Sequence, residues 1–163
     1  MAQLLSTSQL NLPLSERSAA LSRNWKLGAC WYAAATACQE LRRLGITTRY
    51  CQGWVIEEDY GVTYAVAHGF LLDARGLVVD PHHHLLDLNP RWVVVERWSY
   101  SALELHLAMS HHTPRGGLPI GFQMHPTAMP DESTRYRAVL VAALTAAGIP
   151  LEEVHPQLGG PLT

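Results

Sequence analysis

Three features of the 163-residue sequence predict an α+β fold: a helix-period apolar stripe from Cys30 to Leu44, three β-rich segments in succession after it, and turn residues between those segments. The length suits one domain, 1–163, with a core over about 24–100 and C-terminal helices and a loop over 101–155. At this size roughly 70% of the unfolded surface can be buried. Hydrophobic residues are 48% of the chain and charged residues 16%, which excludes a disordered chain and supplies a core without disulfides or metal staples.

Taken in order, Pro13 and Ser15 open a short helix to about Arg23, and Asn24-Trp25-Lys26-Leu27-Gly28 breaks it. From Cys30 to Leu44, Trp31, Ala34, Ala35, Cys38 and Leu41 recur at helical spacing, and Gly45 is placed to end that helix. Thr47 to Ile56, Val62 to Leu72 and Leu77 to Asp80 are rich in β-branched and aromatic residues. With Glu57 to Gly61 and Asp73 to Gly76 between them, they read as an antiparallel meander, the first turn centred on Asp59-Tyr60-Gly61. Arg91 to Trp98 is a further strand, Ser99 to about Ser110 a helix, and Ser133 to Ala147 a last helix stopped by Gly148 and Pro150. Thr113 to Pro130 lacks periodicity and reads as a long loop, and Pro156 to Thr163 as a frayed end.

A net charge of −2 with no basic stripe argues against nucleic acid as a partner. No apolar run approaches the ~20 residues that span a bilayer, and Met1 to Leu14 has no basic, apolar and small-residue order of a signal peptide. The expectation is a cytoplasmic protein without a membrane partner. Three cysteines, Cys30, Cys38 and Cys51, are too few and odd in number for a disulfide framework, so at least one thiol is free.

Cys30 stands where a helix begins, and the unpaired N–H groups of a first turn favour a thiolate. Gly28 and Ala29 leave room for a carbonyl to approach, with the Cys30 N–H as oxyanion donor. Cys38 falls in the helix core stripe and Cys51 within a strand, so both are expected as small buried hydrophobes. A nucleophilic thiol needs a base, and His68 sits within the central meander between Ala67 and Gly69. If Asp73-Ala74-Arg75-Gly76 forms a type I turn with Gly76 left-handed, Asp73 pairs with Leu77 and Phe70 faces Asp80. His68 and Asp80 are then diagonal neighbours on one face, roughly 7 Å apart at the backbone. A four-residue loop would separate them and bring Asp87 or Asn89 into consideration.

Gly28-Ala29-Cys30-Trp31 before a helix, Tyr50 to Gly53 in a strand, His68-Gly69-Phe70 and Val79-Asp80-Pro81 together resemble the transglutaminase-like branch of the papain-like superfamily over about 24–81. The resemblance implies a papain-like or transglutaminase-like core, in which an N-terminal helix carrying the cysteine packs on an antiparallel sheet. It further implies nucleophile Cys30, base His68 and orienting Asp80, with a peptide or amide as substrate. His68-Gly69-Phe70 stands where the family has His-Ala-Trp. Papain-type enzymes place a glutamine six residues before the cysteine; Asn24 holds that spacing here, and Gln52 competes with it as oxyanion donor.

Trp25 and Trp54 are candidates to line a substrate cleft, the other tryptophans being core by default. His82 and His84 alternate on a strand end and His106, His111 and His112 cluster later, but no metal-ligand spacing accompanies them, so neither metal nor cofactor is expected. Peptidase or amidase chemistry through a thioester leads. An acyltransferase with an amine acceptor, of transglutaminase or arylamine N-acetyltransferase type, and a catalytically idle binding module are the alternatives. Oligomeric state stays open.

Overall fold

The computed structural model describes residues 2–22, 30–86, 88–110 and 130–156. In chain order they form β1 (Ala2–Leu5), α1 (Leu12–Leu21), α2 (Cys30–Arg43), β2 (Thr48–Asp59), β3 (Val62–Asp73), β4 (Val78–Val79), β5 (Leu88–Val95), β6 (Ser99–Ser101), α3 (Ala102–Ser110), α4 (Pro130–Ala146) and β7 (Val154–Pro156). Over the described residues the fold is α+β, with a curled mixed sheet and four α-helices. Among the described residues no helix is long and apolar enough to cross a membrane.

The long β2–β3 hairpin is the centre of the sheet. Its strands pair from Thr48↔Asp73 to Asp59↔Val62, so the connection is only Tyr60-Gly61. Both residues have positive φ, 47° and 78°, the backbone of a type I′ turn, whose twist matches that of the flanking strands. The expected five-residue separator is therefore mostly strand. β4 adds antiparallel to β3 through Leu71↔Val79 and Leu72↔Val78. The meander ends there: β5 returns to the other side of β2 with Trp54↔Val93, and β1, a strand the sequence did not announce, closes on β5. β1 is four residues of no strong β character, and its pairing comes from β5.

β6 continues the β5 side of β2 with Arg49↔Ser101 to Cys51↔Ser99, so Ser99 to Ser101 is strand where a helix was expected. α3 begins one residue later under a capping box, with Ser101 Oγ accepting from the Glu104 amide and Glu104 from the Ser101 amide. On the far edge of β3, β7 pairs in parallel from Thr63↔Val154 to Ala65↔Pro156. Leu10 bridges Val78 and the Asn11 amide donates to the Val78 carbonyl at 2.8 Å, so chain following β1 lies along the opposite edge strand β4 and the sheet curls.

Side-chain alternation divides the core in two. On the helix side, α2 presents Ala34, Ala35, Ala37, Cys38 and Leu41 to Tyr50, Leu71 and Val79, the alanines permitting close approach. Beside them Trp31, Trp54, Ile56, Ala65 and Val93 meet Leu140 and Leu144 of α4. The other face buries Leu5, Cys51, Val55, Phe70, Val78 and Trp92. Helix ends follow local chemistry: Asn11 caps α1 through the Leu14 amide, and Gly45 and Gly148 take positive φ after α2 and α4.

Candidate active site

The Asp73 to Leu77 turn sets the geometry. Gly76 has φ 80°, Asp73 N donates to the Leu77 carbonyl at 2.8 Å, and Asp73 Oδ1 accepts the Arg75 and Leu77 amides. Three residues, Ala74 to Gly76, thus form the loop, and the β3–β4 register extends to Phe70 opposite Asp80. His68 and Asp80 share a face as expected. His68 Nε2 lies 2.7 Å from Asp80 Oδ2, with both side chains buried.

Asp80 is held on every side. Trp92 Nε1 donates to its Oδ2 at 2.8 Å, the His82 amide donates to Oδ1 at 2.8 Å, and its own amide donates to Ser15 Oγ at 3.0 Å. With Asp80 a carboxylate, Nε2 of His68 carries the proton and Nδ1 is left for the thiol. The Phe70 ring stacks beside the imidazole, centroids 6.1 Å apart.

Cys30 opens α2 and reaches His68 at the edge of β3. Hydrogen-bonded pairs along β3–β4 alternate, so from Asp73–Leu77 the bonded positions run through Leu71 to Gly69. The chain opposite Gly69 is Pro81, where β4 has ended. The outward Gly69 amide goes instead to the Cys30 sulfur, which also hydrogen-bonds to the His68 imidazole. Glycine is required at 69: a Cβ would stand 2.8 Å from Trp31 Cα and 3.1 Å from its N.

Burial alone would push the Cys30 thiol up, but the charge of His68, its hydrogen bond and the Gly69 amide outweigh it and hold the thiol below its ordinary value. Burial would likewise push His68 down. The charges of Asp80 and Cys30 and their hydrogen bonds prevail and hold it well above the usual imidazole range. Asp80, buried yet facing His68 and bonded by Trp92 and the His82 amide, is held below the usual carboxylate range. These directions favour the charged forms, a thiolate beside an imidazolium backed by a carboxylate. Burial pushes Cys38 up and Cys51 up to about 12. All three cysteines are free thiols.

Gln52 is buried beside this site, and its Nε2 donates to Tyr50 Oη at 3.2 Å. Trp54 is a core side chain packed with Trp31 and Cys30. Asn24 and Trp25 lie outside the described residues, as do Asp87, His111 and His112. The expected shared face for His82 and His84 is corrected: a turn and a 3-10 helix, His83–Leu85, follow Asp80, so His82 is buried and His84 exposed. His82 is held below its ordinary value by burial and by His68. Among the described residues no three His, Cys, Asp or Glu side chains form a metal-holding group.

Sequence reasoning missed Trp92 and Ser15. Neither stands in a motif: one is on β5, the other on α1, and only the curl of the sheet brings them to Asp80. A pocket of about 560 Å³ with Arg42, Thr48, Arg49 and Leu103 in its lining opens at the far end of α2, about 20 Å from the thiol. Comparison of the chain with protein-family models, with curated proteins and with solved structures finds no match.

Proposed function

We propose that this chain is a cysteine-dependent acyl-transfer enzyme with a papain-like or transglutaminase-like core, hydrolysing a peptide or amide bond through a thioester at Cys30. The observation that carries the reading is His68, bonded at one nitrogen to the Asp80 carboxylate at 2.7 Å and at the other side to the Cys30 thiol. In the reaction the Cys30 thiolate attacks the amide carbon and the S–C bond forms while the carbonyl oxygen takes the negative charge. Collapse expels the amine, which leaves with the proton of the His68 imidazolium. The neutral imidazole then takes a proton from water as its oxygen attacks the thioester. The acid departs and Cys30 returns as thiolate beside imidazolium. Asp80 keeps its charge throughout, holding the tautomer and stabilising the cation.

Supporting this chemistry over a core role for Cys30 is the contrast among three cysteines: only Cys30 meets a histidine and a backbone amide at a helix start. The test is intact-mass detection of an acyl adduct after exposure to an activated ester, with peptide mapping to Cys30 and its absence in Cys30→Ala. Release of that adduct to water, rather than to an added amine, identifies a hydrolase; capture by the amine overturns the hydrolytic part. A folded Cys30→Ala protein that performs as wild type in a binding assay, with no adduct on the wild type, supports the idle binding module.

A further inference from the structure

The helix-facing side of β2 carries Thr48, Tyr50, Gln52, Trp54 and Ile56 in alternation, with Gln52 in its middle. Two contacts fix its level. Thr48 Oγ1 meets Cys38 Sγ at 3.5 Å, anchoring the middle of α2 to the start of β2. From Thr48 to Gln52 the strand advances about 13 Å, and from Cys38 back to Cys30 the helix advances about 12 Å. The second contact agrees: Gln52 pairs with Gly69, whose Cα lies against the backbone of Trp31. Gln52 therefore stands beside the first turn of α2, at the level of the thiol.

Its amide is oriented by Tyr50, whose phenol is pushed up by burial and also by the charge of Cys30, so the pair lies within electrostatic reach of the thiol. Tyr50, fully buried, accepts one Nε2 hydrogen at 3.2 Å. An amide nitrogen has two hydrogens, and this contact takes one of them. A polar side chain only 7% exposed is unfavourable unless its groups are used.

We infer that Gln52 binds the carbonyl oxygen of the acyl group at Cys30 and, together with the Cys30 N–H, stabilises the oxyanion, with Tyr50 as the residue that positions its amide. This rests on the acyl-transfer reading above. As the S–C bond forms, the oxygen gains the electron pair of the C=O bond; Gln52 donates a hydrogen bond and no proton moves to or from it.

Two reactions at the same thiol separate this role from a structural one. Alkylation by iodoacetamide needs the thiolate and builds no oxyanion; acylation by p-nitrophenyl acetate needs both. In Gln52→Leu, acylation is expected to fall by about 10²–10³ with alkylation within about twofold of wild type. Gln52→Asn, which keeps an amide one methylene short, serves where the leucine variant does not fold and gives the same selective loss. Tyr50→Phe gives a smaller selective loss. A fall of both rates together, or of neither, overturns the role of Gln52 while leaving the nucleophile assigned. A wild-type thiol that is alkylated but never acylated overturns the acyl-transfer reading and this inference with it.

Discussion

Trp92 Nε1 and His68 Nε2 converge on one oxygen, Asp80 Oδ2, at 2.8 and 2.7 Å. β5 and β3 are not neighbours in the sheet, since β2 lies between them, so a strand two places away fixes the carboxylate that fixes the imidazole. Trp92 is fully buried, and its indole fills the concave core as its N–H reaches the site. Core packing and site geometry are thus coupled at one residue.

Trp92→Phe keeps an aromatic ring but removes this donor from a buried carboxylate, which costs about 1.5–3 kcal/mol before any loss of packing. Urea unfolding is expected to show that loss, and the Cys30 alkylation rate a decrease. Unchanged stability would mean that the Asp80 bond contributes nothing net.

Cys30 is expected to react with substoichiometric iodoacetamide at neutral pH ahead of Cys38 and Cys51, whose thiols are pushed up by burial, Cys51 to about 12. Mass mapping of the alkylated peptides reads the order. Equal labelling of all three in the folded protein removes the site.

The reactive ion pair exists above the lowered value of Cys30 and below the raised value of His68. The alkylation rate is expected to reach half its plateau below the ordinary thiol value of 9.0. Asp80→Asn removes the main charge that raises His68, so its alkaline limb moves to lower pH and turnover falls by at least about tenfold. An unshifted profile in that variant contradicts the role of Asp80.

Asp80 also links pH to stability. Its folded value lies below 3.8, so its contribution is present above the unfolded value and is lost as pH falls through the folded one. The stability gap between wild type and Asp80→Asn is therefore expected to be widest near neutral pH and to close in acid below about pH 4. Denaturant midpoints of both proteins across that range supply the check.

Two glycines separate space from backbone strain. In Gly69→Ala the new methyl meets Trp31 backbone at 2.8 Å, which displaces the first turn of α2; stability and Cys30 reactivity are expected to fall together. Gly76→Ala meets nothing within 4 Å and carries only the positive-φ penalty, about 1–2 kcal/mol, with alkylation near wild type. Comparable losses of reactivity in both variants would contradict the close approach at Gly69.

The sequence by itself determined what is local. The α2 stripe, its stop at Gly45 and the Asp73 to Gly76 turn are written in periodicity and turn residues, and that turn alone put His68 and Asp80 on one face, because a strand inverts its side chains at each residue. The tertiary structure decided what depends on distant pairing. β1 owes its conformation to β5, β5 left the meander for β2, and Ser99 to Ser101 became strand because an edge of β2 was open to it. Trp92 and Ser15 reached Asp80 through the curl of the sheet, and Gly69 met Trp31 through the seat of α2. Such contacts join residues whose separation along the chain leaves no periodicity to read, and the free energy that selects them is the shared burial of surfaces formed only when the whole sheet closes.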